Sequence, residues 1–321
     1  MIVVTGGAGF IGSNLVAKLN EMGRDDIIIV DRLGTDEKWK NLNGLKFIFD
    51  KEEFYKAIIE ETFPFGLDAI FHLGACSSTT ETDADYLLQN NYRYSLELVK
   101  YALPRKTRFI YASSAATYGN GENGYDDKGD IGKLRPLNMY GYSKQMFDIW
   151  LRKMKIAEKV VGLKYFNVYG PNEYHKDEMR SVVHKAFEQI RDTGKVKLFK
   201  SYREEYKDGE QKRDFVYVDD AVDMTLYFME HPETHGLFNV GTGKARTWND
   251  LVTAVFKAMG KEPNIEYVEM PEDLRDQYQY FTEAKMGKMR EAGYEKEIHS
   301  LEDGIEDYVK NYLLGKEYKA L

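Results

Sequence analysis

Short runs of β-branched and apolar residues alternate with longer segments of helical period through the first half of the chain. That rhythm is the pattern of a parallel sheet wound with helices. It predicts strands at Ile2–Val4, Ile27–Val30, Ala69–His72, Arg108–Ala112 and Val160–Tyr165, and helices over Phe10–Met22, Glu52–Glu61, Asp83–Ala102 and Tyr140–Ile156. Beyond Phe166 the rhythm loosens. GPNEYHKDEM, residues 170–179, reads as a loop leading to a helix over Met179–Thr193. SYREEYKDGEQKRD, residues 201–214, reads as a solvated loop with nothing suited to anchor a core. RDFVYVDDAVDMTLYFME then gives a strand and a helix, with Asp219 or Asp220 as N-cap. The expected organisation is a cofactor domain from residues 1–166 plus 214–240, and a smaller domain from residues 167–213 plus 241–321.

Composition narrows the partners. Forty-five basic against fifty-three acidic residues give a net charge of −8, which disfavours a general attraction to nucleic acid or acidic lipid. The single cysteine, Cys76, leaves neither an internal disulfide nor a structural zinc set, and no metal site is expected. No apolar run approaches a membrane span, and MIVVTGGAGF enters a strand at once without a signal peptide. These features predict a cytoplasmic chain with a small-molecule substrate.

VVTGGAGFIGSN places Gly6, Gly9 and Gly12 between the first strand and the first helix. Small residues there let backbone approach a pyrophosphate, which a helix N-terminus holds with its N–H groups. The second strand ends in Asp31, at the distance expected of a ribose ligand. Together these predict a dinucleotide. Asp31 alone would favour NAD, whereas Arg32, Lys38 and Lys51 gather cations suited to the 2′-phosphate of NADP. The reading favours NADP.

Tyr140 and Lys144 stand one helical turn apart. The projection puts them on an inward stripe with Phe147, Leu151 and Met154, and turns Gln145, Asp148 and Arg152 outward. Using a tyrosine as base near neutrality requires its pKa of about 10 to fall to about 7, worth about 4 kcal/mol. A neighbouring ammonium works in that direction. Lys144 is also placed to hold a cofactor ribose. YASSAATYG sets Ser113 and Ser114 after a strand, where active-site groups in open α/β sheets collect. Either hydroxyl is suited to polarise a substrate oxygen, and Ser114 is favoured by position.

TGGAGFIG, SSAATYG and YGYSK together resemble the extended short-chain dehydrogenase/reductase family. That likeness implies an α/β fold: a Rossmann-type doubly wound parallel sheet with a smaller, discontinuous α/β substrate domain. GACSSTT, NNY, LNMYGYSK, KYFNVYGPNEYHK, KRDFVYVDD and FNVGTGKA are similar to the members that epimerise C6 of an ADP-linked heptose for lipopolysaccharide core synthesis. The resemblance implies that hydride leaves C6 for bound NADP, giving a ketone, and returns to the opposite face. The 6-oxygen then occupies two positions in one cycle, and a second proton-transfer group serves the second of them. Matched residue by residue, Tyr140 is one such group and Lys176 the other, while His175 is structural.

The same resemblance implies cofactor contacts at Phe10, Ile11, Leu73, Gly74, Ala75, Cys76, Ser77, Asn90, Val168 and Lys176. Substrate contacts are implied at Asn167, Glu178, Lys185, Phe199, Lys200, Ser201, Tyr202, Arg213 and Tyr278, with Arg213 against the diphosphate. The chain departs from the family at several of these. Leu73 stands where an acid is common, Glu178 where a serine is usual, Lys185 where a histidine is usual, and the 201–212 loop is longer. The family also implies a homo-oligomer, often a pentamer. Two related readings use the same pair: a nucleotide-sugar 4-epimerase, which would not need Lys176, and a 4,6-dehydratase, which would carry an acid where Ala115 and Ala116 stand. A dinucleotide-binding protein without chemistry would commonly have lost Tyr140 or Lys144.

Overall fold

The structure is a computed structural model, and it describes residues 1–51, 53–275 and 278–315. The first half forms β1 (Ile2–Thr5), β2 (Ile27–Val30), β3 (Ile48–Asp50), β4 (Ala69–His72), β5 (Arg108–Ser114) and β6 (Val161–Tyr165). They interleave with α1 (Phe10–Glu21), α2 (Glu53–Ile59), α3 (Ala84–Leu87), α4 (Tyr94–Ala102) and α5 (Met139–Lys153). The chain continues through β7 (Asn167–Tyr169), α6 (Val182–Thr193), β8 (Val196–Phe199), β9 (Lys212–Tyr217) and α7 (Val218–Glu230). Next come β10 (Gly236–Val240), β11 (Ala245–Thr247), α8 (Trp248–Ala258) and β12 (Ile265–Val268).

Seven strands make one sheet in the order β10-β6-β5-β4-β1-β2-β3, and every pair in it is parallel. This is the doubly wound Rossmann-type sheet that the sequence predicts. Its central strands β1, β2, β4 and β6 are buried at every position, as strands covered by helices on both faces must be. The register aligns Thr5 with Val30 and with His72, and Ser114 with Tyr165. The carboxyl ends therefore share one edge, and the segments that follow them converge there. A three-stranded sheet, β11-β9-β7, and a pair, β12-β8, carry the later chain. No helix among the described residues is long and apolar enough to cross a membrane.

Several local expectations need correction. The helix expected over Asp83–Ala102 is interrupted by a π-helical turn at Leu88–Arg93 between α3 and α4. Glu52, expected to open a helix, lies outside the described residues, and that helix runs Glu53–Ile59. The helix expected from Met179 begins at Val182, behind Ser181, whose hydroxyl accepts from the His184 N–H. Neither Asp219 nor Asp220 is an N-cap: β9 runs straight into α7, Tyr217 holds the cap position, and both acids fall in the first turn. There they complement the helix dipole, and Asp220 receives the His299 ring at 2.9 Å.

The 201–214 segment is not wholly solvated. Gln211, Arg213 and Asp214 are buried, and the Tyr206 ring packs on Tyr280. On α5, Met154 caps the helix and is 53% exposed, whereas Gln145 and Asp148 are buried. Gln145 donates to the Ile131 and Leu134 carbonyls. Asp148 accepts from the Tyr111 and Ser113 hydroxyls and from Lys164. A polar side chain turns inward when the facing element supplies such partners.

Candidate active site

The glycine loop is held by steric need. Gly6 has φ +70, and a Cβ there would stand 2.7 Å from the Gly74 Cα, so the turns after β1 and β4 touch. A Cβ on Gly12 would stand 2.2 Å from the Gly6 carbonyl oxygen, so α1 closes directly on the turn. Gly9 occupies the N-cap of α1 with no side chain capping it and no acid in the first turn. A helix start left without a capping side chain or acid, with positive polarity and a backbone cradle, fits the pyrophosphate of a dinucleotide. Behind the cradle, the Thr5 hydroxyl accepts from the Gly74 N–H at 3.0 Å and meets His72 Nδ1 at 2.7 Å. The Ser95 hydroxyl gives its hydrogen to the Asn91 carbonyl, so His72 Nε2, 2.8 Å away, is its donor and Nδ1 is the acceptor. Burial holds this imidazole neutral, its pKa pushed down to about 3.

Asp31 follows β2. One carboxylate oxygen accepts from the Ala8 N–H at 2.9 Å, and the other from the Arg32 N–H and from Lys38 Nζ at 2.6 Å. Lys38 thus neutralises the acid at the ribose position. Lys51 is exposed just past β3, whose Asp50 carbonyl accepts from the Asp31 N–H. Along the next strand end, Leu73, Gly74, Ala75 and Cys76 are half-buried and Ser77 is exposed. Asn91, which the sequence reading passed over for Asn90, binds both the N–H and the carbonyl of Cys76 and reaches Ser143 on α5. Asn90 itself returns to the Tyr86 carbonyl.

β5 runs through Ser114, one residue pair longer than its apolar core, and separates the two serines. Ser113 is committed to Asp148. Ser114 accepts from the Ala116 N–H, and its hydroxyl lies near Tyr140. The favoured serine is therefore the one beside the tyrosine. Asn138 caps α5 through the Gly141 N–H, starting the helix so that Tyr140 lies in its first turn.

The electrostatics differ from the expectation in one respect. Burial pushes the Tyr140 pKa up, and the nearby Ser114 hydroxyl opposes it. Lys144 spends a hydrogen on the Ala112 carbonyl at 2.9 Å, and burial pushes its own pKa down to about 8, against the pull of Asp148. The phenol is thus protonated and neutral near pH 7, an acid awaiting further positive charge before it becomes a base.

Lys176 sits on the 3₁₀ turn Tyr174–Met179, with its amine 5.3 Å from the centroid of the Phe10 ring at the start of α1. The turn that looked like an ordinary polar loop therefore delivers a lysine to the glycine cradle. Burial lowers its pKa, and Glu173 raises it. His175 meets Asn41, whose amide also donates to the carbonyls of Ala8 and Asn172, so this histidine ties the turn to the cradle. Val168, on β7, is half-buried beside exposed Asn167.

The remaining expected substrate residues divide into two groups. Arg213 is buried, donates to the Lys212 and Gln279 carbonyls, and lies 5.2 and 5.6 Å from the centroids of Tyr278 and Trp248. No carboxylate among the described residues forms an ion pair with it. A buried guanidinium met only by carbonyls and ring faces is built to receive an anion. Phe199 packs edge-on to Tyr278, extending that aromatic floor. Elsewhere, Lys200 pairs with Glu269, which also accepts from Tyr202, and Ser201 donates to the Arg203 carbonyl. Glu178, its side chain 94% exposed, pairs with Lys185 at 3.0 Å. Glu178 and Lys185, two of the residues that depart from the family pattern, therefore satisfy each other.

The Rossmann-type sheet, the glycine turn after its first strand and the Tyr-x-x-x-Lys spacing on α5 set the class, and the chain belongs to the NAD dependent epimerase/dehydratase family, whose model matches residues 2–241. It is 54% identical over 316 residues, 98% of each chain, to the ADP-L-glycero-D-manno-heptose-6-epimerase of Nitratidesulfovibrio vulgaris. The crystal structure of the Helicobacter pylori ADP-L-glycero-D-manno-heptose-6-epimerase superimposes with a TM-score of 0.80 at 30% identity, covering 97% of this chain and 95% of that one. UDP-glucose 4-epimerase of Thermus thermophilus, in complex with NAD, gives 0.77 at 25% identity, over 98% and 99%.

Proposed function

We propose that the chain is an isomerase that inverts C6 of ADP-D-glycero-D-manno-heptose to give ADP-L-glycero-D-manno-heptose, with NADP as its nicotinamide cofactor. The sugar assignment is supported by near-full-length likeness to enzymes of that name. The mechanism is supported by Tyr140 lying near Ser114 at the end of β5 and by Lys176 lying over Phe10 at the start of α1, two candidate proton-transfer groups from separate elements. When bound, the cofactor supplies the hydride acceptor and, later, the hydride donor at C6.

The protein's own groups do the rest. The glycine cradle and the α1 N-terminus hold the pyrophosphate. Lys38 already neutralises the Asp31 charge after β2, and Arg32 adds a second cation beside it in the chain; this gathering of positive charge supports NADP over NAD. Lys144, one turn beyond Tyr140 on α5, holds the ribose. Tyr140, oriented by Ser114, takes or gives the 6-oxygen proton in one sugar orientation. Lys176, with an amine that burial disposes to deprotonate, does so in the other. Arg213 holds the diphosphate against Tyr278, and the sugar pivots about that anchor.

The test is conversion of ADP-D-glycero-D-manno-heptose by the purified protein, followed by proton NMR of the C6 epimers. Tyr140→Phe and Lys176→Met are each expected to lose at least about 100-fold in kcat, the scale of general acid–base catalysis, while retaining cofactor. Full activity in either variant would reject its assigned role.

A further inference from the structure

Lys176 does not hold its position alone. Its turn is flanked by two non-glycine residues in the left-handed region, Asn172 at φ 73 and Asp177 at φ 45 with ψ −121. Such conformations persist only where the surroundings over-determine them. The constraint is Glu173, buried at 1% exposure. One carboxylate oxygen accepts from the Ser181 hydroxyl at 2.6 Å and the Gly170 N–H at 3.4 Å. The other accepts from the Ser181 N–H at 2.6 Å. All three partners donate hydrogens, which is the environment of an ionised carboxylate. Its backbone carbonyl also accepts from the Lys176 N–H at 3.0 Å. Glu173 thereby joins the chain before the turn to the N-cap of α6 after it. Asn172 adds a tie to α1 through the Ser13 hydroxyl at 3.0 Å.

We propose that Glu173 is a positioning residue for Lys176: its buried carboxylate closes the 170–181 turn and sets where the amine stands relative to that charge. The proposal rests on the acid/base reading of Lys176. Within its own turn, the Glu173 charge raises the amine's proton affinity against burial, and the amine in turn lowers that of the His175 ring. On α1 its amine lies over the Phe10 ring, while Asp31, Asp36 and Lys38 act one residue away, on His175. Burial alone would strip the proton readily, and Glu173 returns part of that affinity. The amine is then able both to accept and to donate in one cycle, which a lysine with no counter-charge would do poorly.

The experiment compares wild type, Glu173→Gln and Glu173→Asp. The Lys176 amine is titrated by NMR in lysine-labelled protein, with its signal assigned by loss in Lys176→Met, and the pH profile of kcat/KM is measured beside it. Glu173→Gln keeps an acceptor and removes the charge. It should move the titration and the acidic limb down together, by about one pH unit, a tenfold change in proton affinity. Glu173→Asp keeps the charge but withdraws it by a methylene, and should lower kcat with KM little changed. An unmoved titration in Glu173→Gln overturns the proposal. Where that variant does not fold, an unchanged titration and kcat in Glu173→Asp overturn it instead. The titration reads the coupling without turnover, so an active Lys176→Met would refute the catalytic reading separately.

Discussion

The sharpest energetic prediction concerns the ion pair behind α5. Lys164 Nζ and Asp148 Oδ2 lie 3.1 Å apart, both side chains about 1% exposed. The Tyr111 and Ser113 hydroxyls complete the carboxylate at 2.8 Å each, and the Thr117 hydroxyl and Tyr118 ring surround the ammonium. This network ties α5 to β5 and β6, one turn beyond Lys144. Asp148→Asn keeps the shape and strands the ammonium. Removing one member of a buried pair costs about 3–5 kcal/mol, and at roughly 2 °C per kcal/mol for a chain of this size the melting temperature should fall roughly 6–10 °C.

The stranded amine gives the loss a pH signature. Burial already depresses the Lys164 pKa below its unfolded value, and Asp148 is the main group opposing that shift. In Asp148→Asn the folded state therefore binds fewer protons than the unfolded state over a wider range. Stability should then rise with pH between the lowered folded pKa and the ordinary lysine value, by up to about 1.4 kcal/mol per pH unit. Urea unfolding at pH 7, 8 and 9, monitored by circular dichroism, measures both quantities. Adding Lys164→Met to Asp148→Asn should flatten the slope and recover at least half the loss. A single variant with wild-type stability, or a pH slope that survives in the double variant, would refute the reasoning.

Two further predictions concern the cofactor. Gly12→Ala drives a methyl into the Gly6 carbonyl; it should cost about 1–3 kcal/mol as an overpacked site, and abolish dinucleotide retention as judged by absorbance of the purified protein. Lys38→Ala frees the Asp31 carboxylate; calorimetry should show NADP affinity falling about tenfold or more, the effect of losing a charge-assisted contact of about 1.5–3 kcal/mol, with NAD affinity held or raised.

The sheet was legible because fully buried parallel strands must be continuous apolar runs, and IVVT, IIIV and AIFH leave no competing pattern. The glycine cradle was legible for a related reason, since its spacing reflects steric contacts within one turn. Long-range polar partnerships were not. A helical projection assigns Asp148 outward because it sees charge and not Lys164, which arrives from another strand. The available signal was the lysine inside VGLKY, a buried strand that must supply it an anion. Glu173 was hidden in the same way, within a stretch whose polarity reads as solvent exposure although its carboxylate closes the turn. Met154 failed in the opposite direction: it continues the apolar stripe, but at the C-cap no element remains to cover it.

The most direct test follows the hydrogen at C6. Epimerisation of ADP-D-glycero-D-manno-heptose in heavy water, with carbon and proton NMR of the product, should give inverted sugar carrying its original C6 hydrogen and no deuterium there. Inversion accompanied by solvent deuterium at C6 would contradict the account, because the hydrogen would then have passed through water and not through a hydride held within the site.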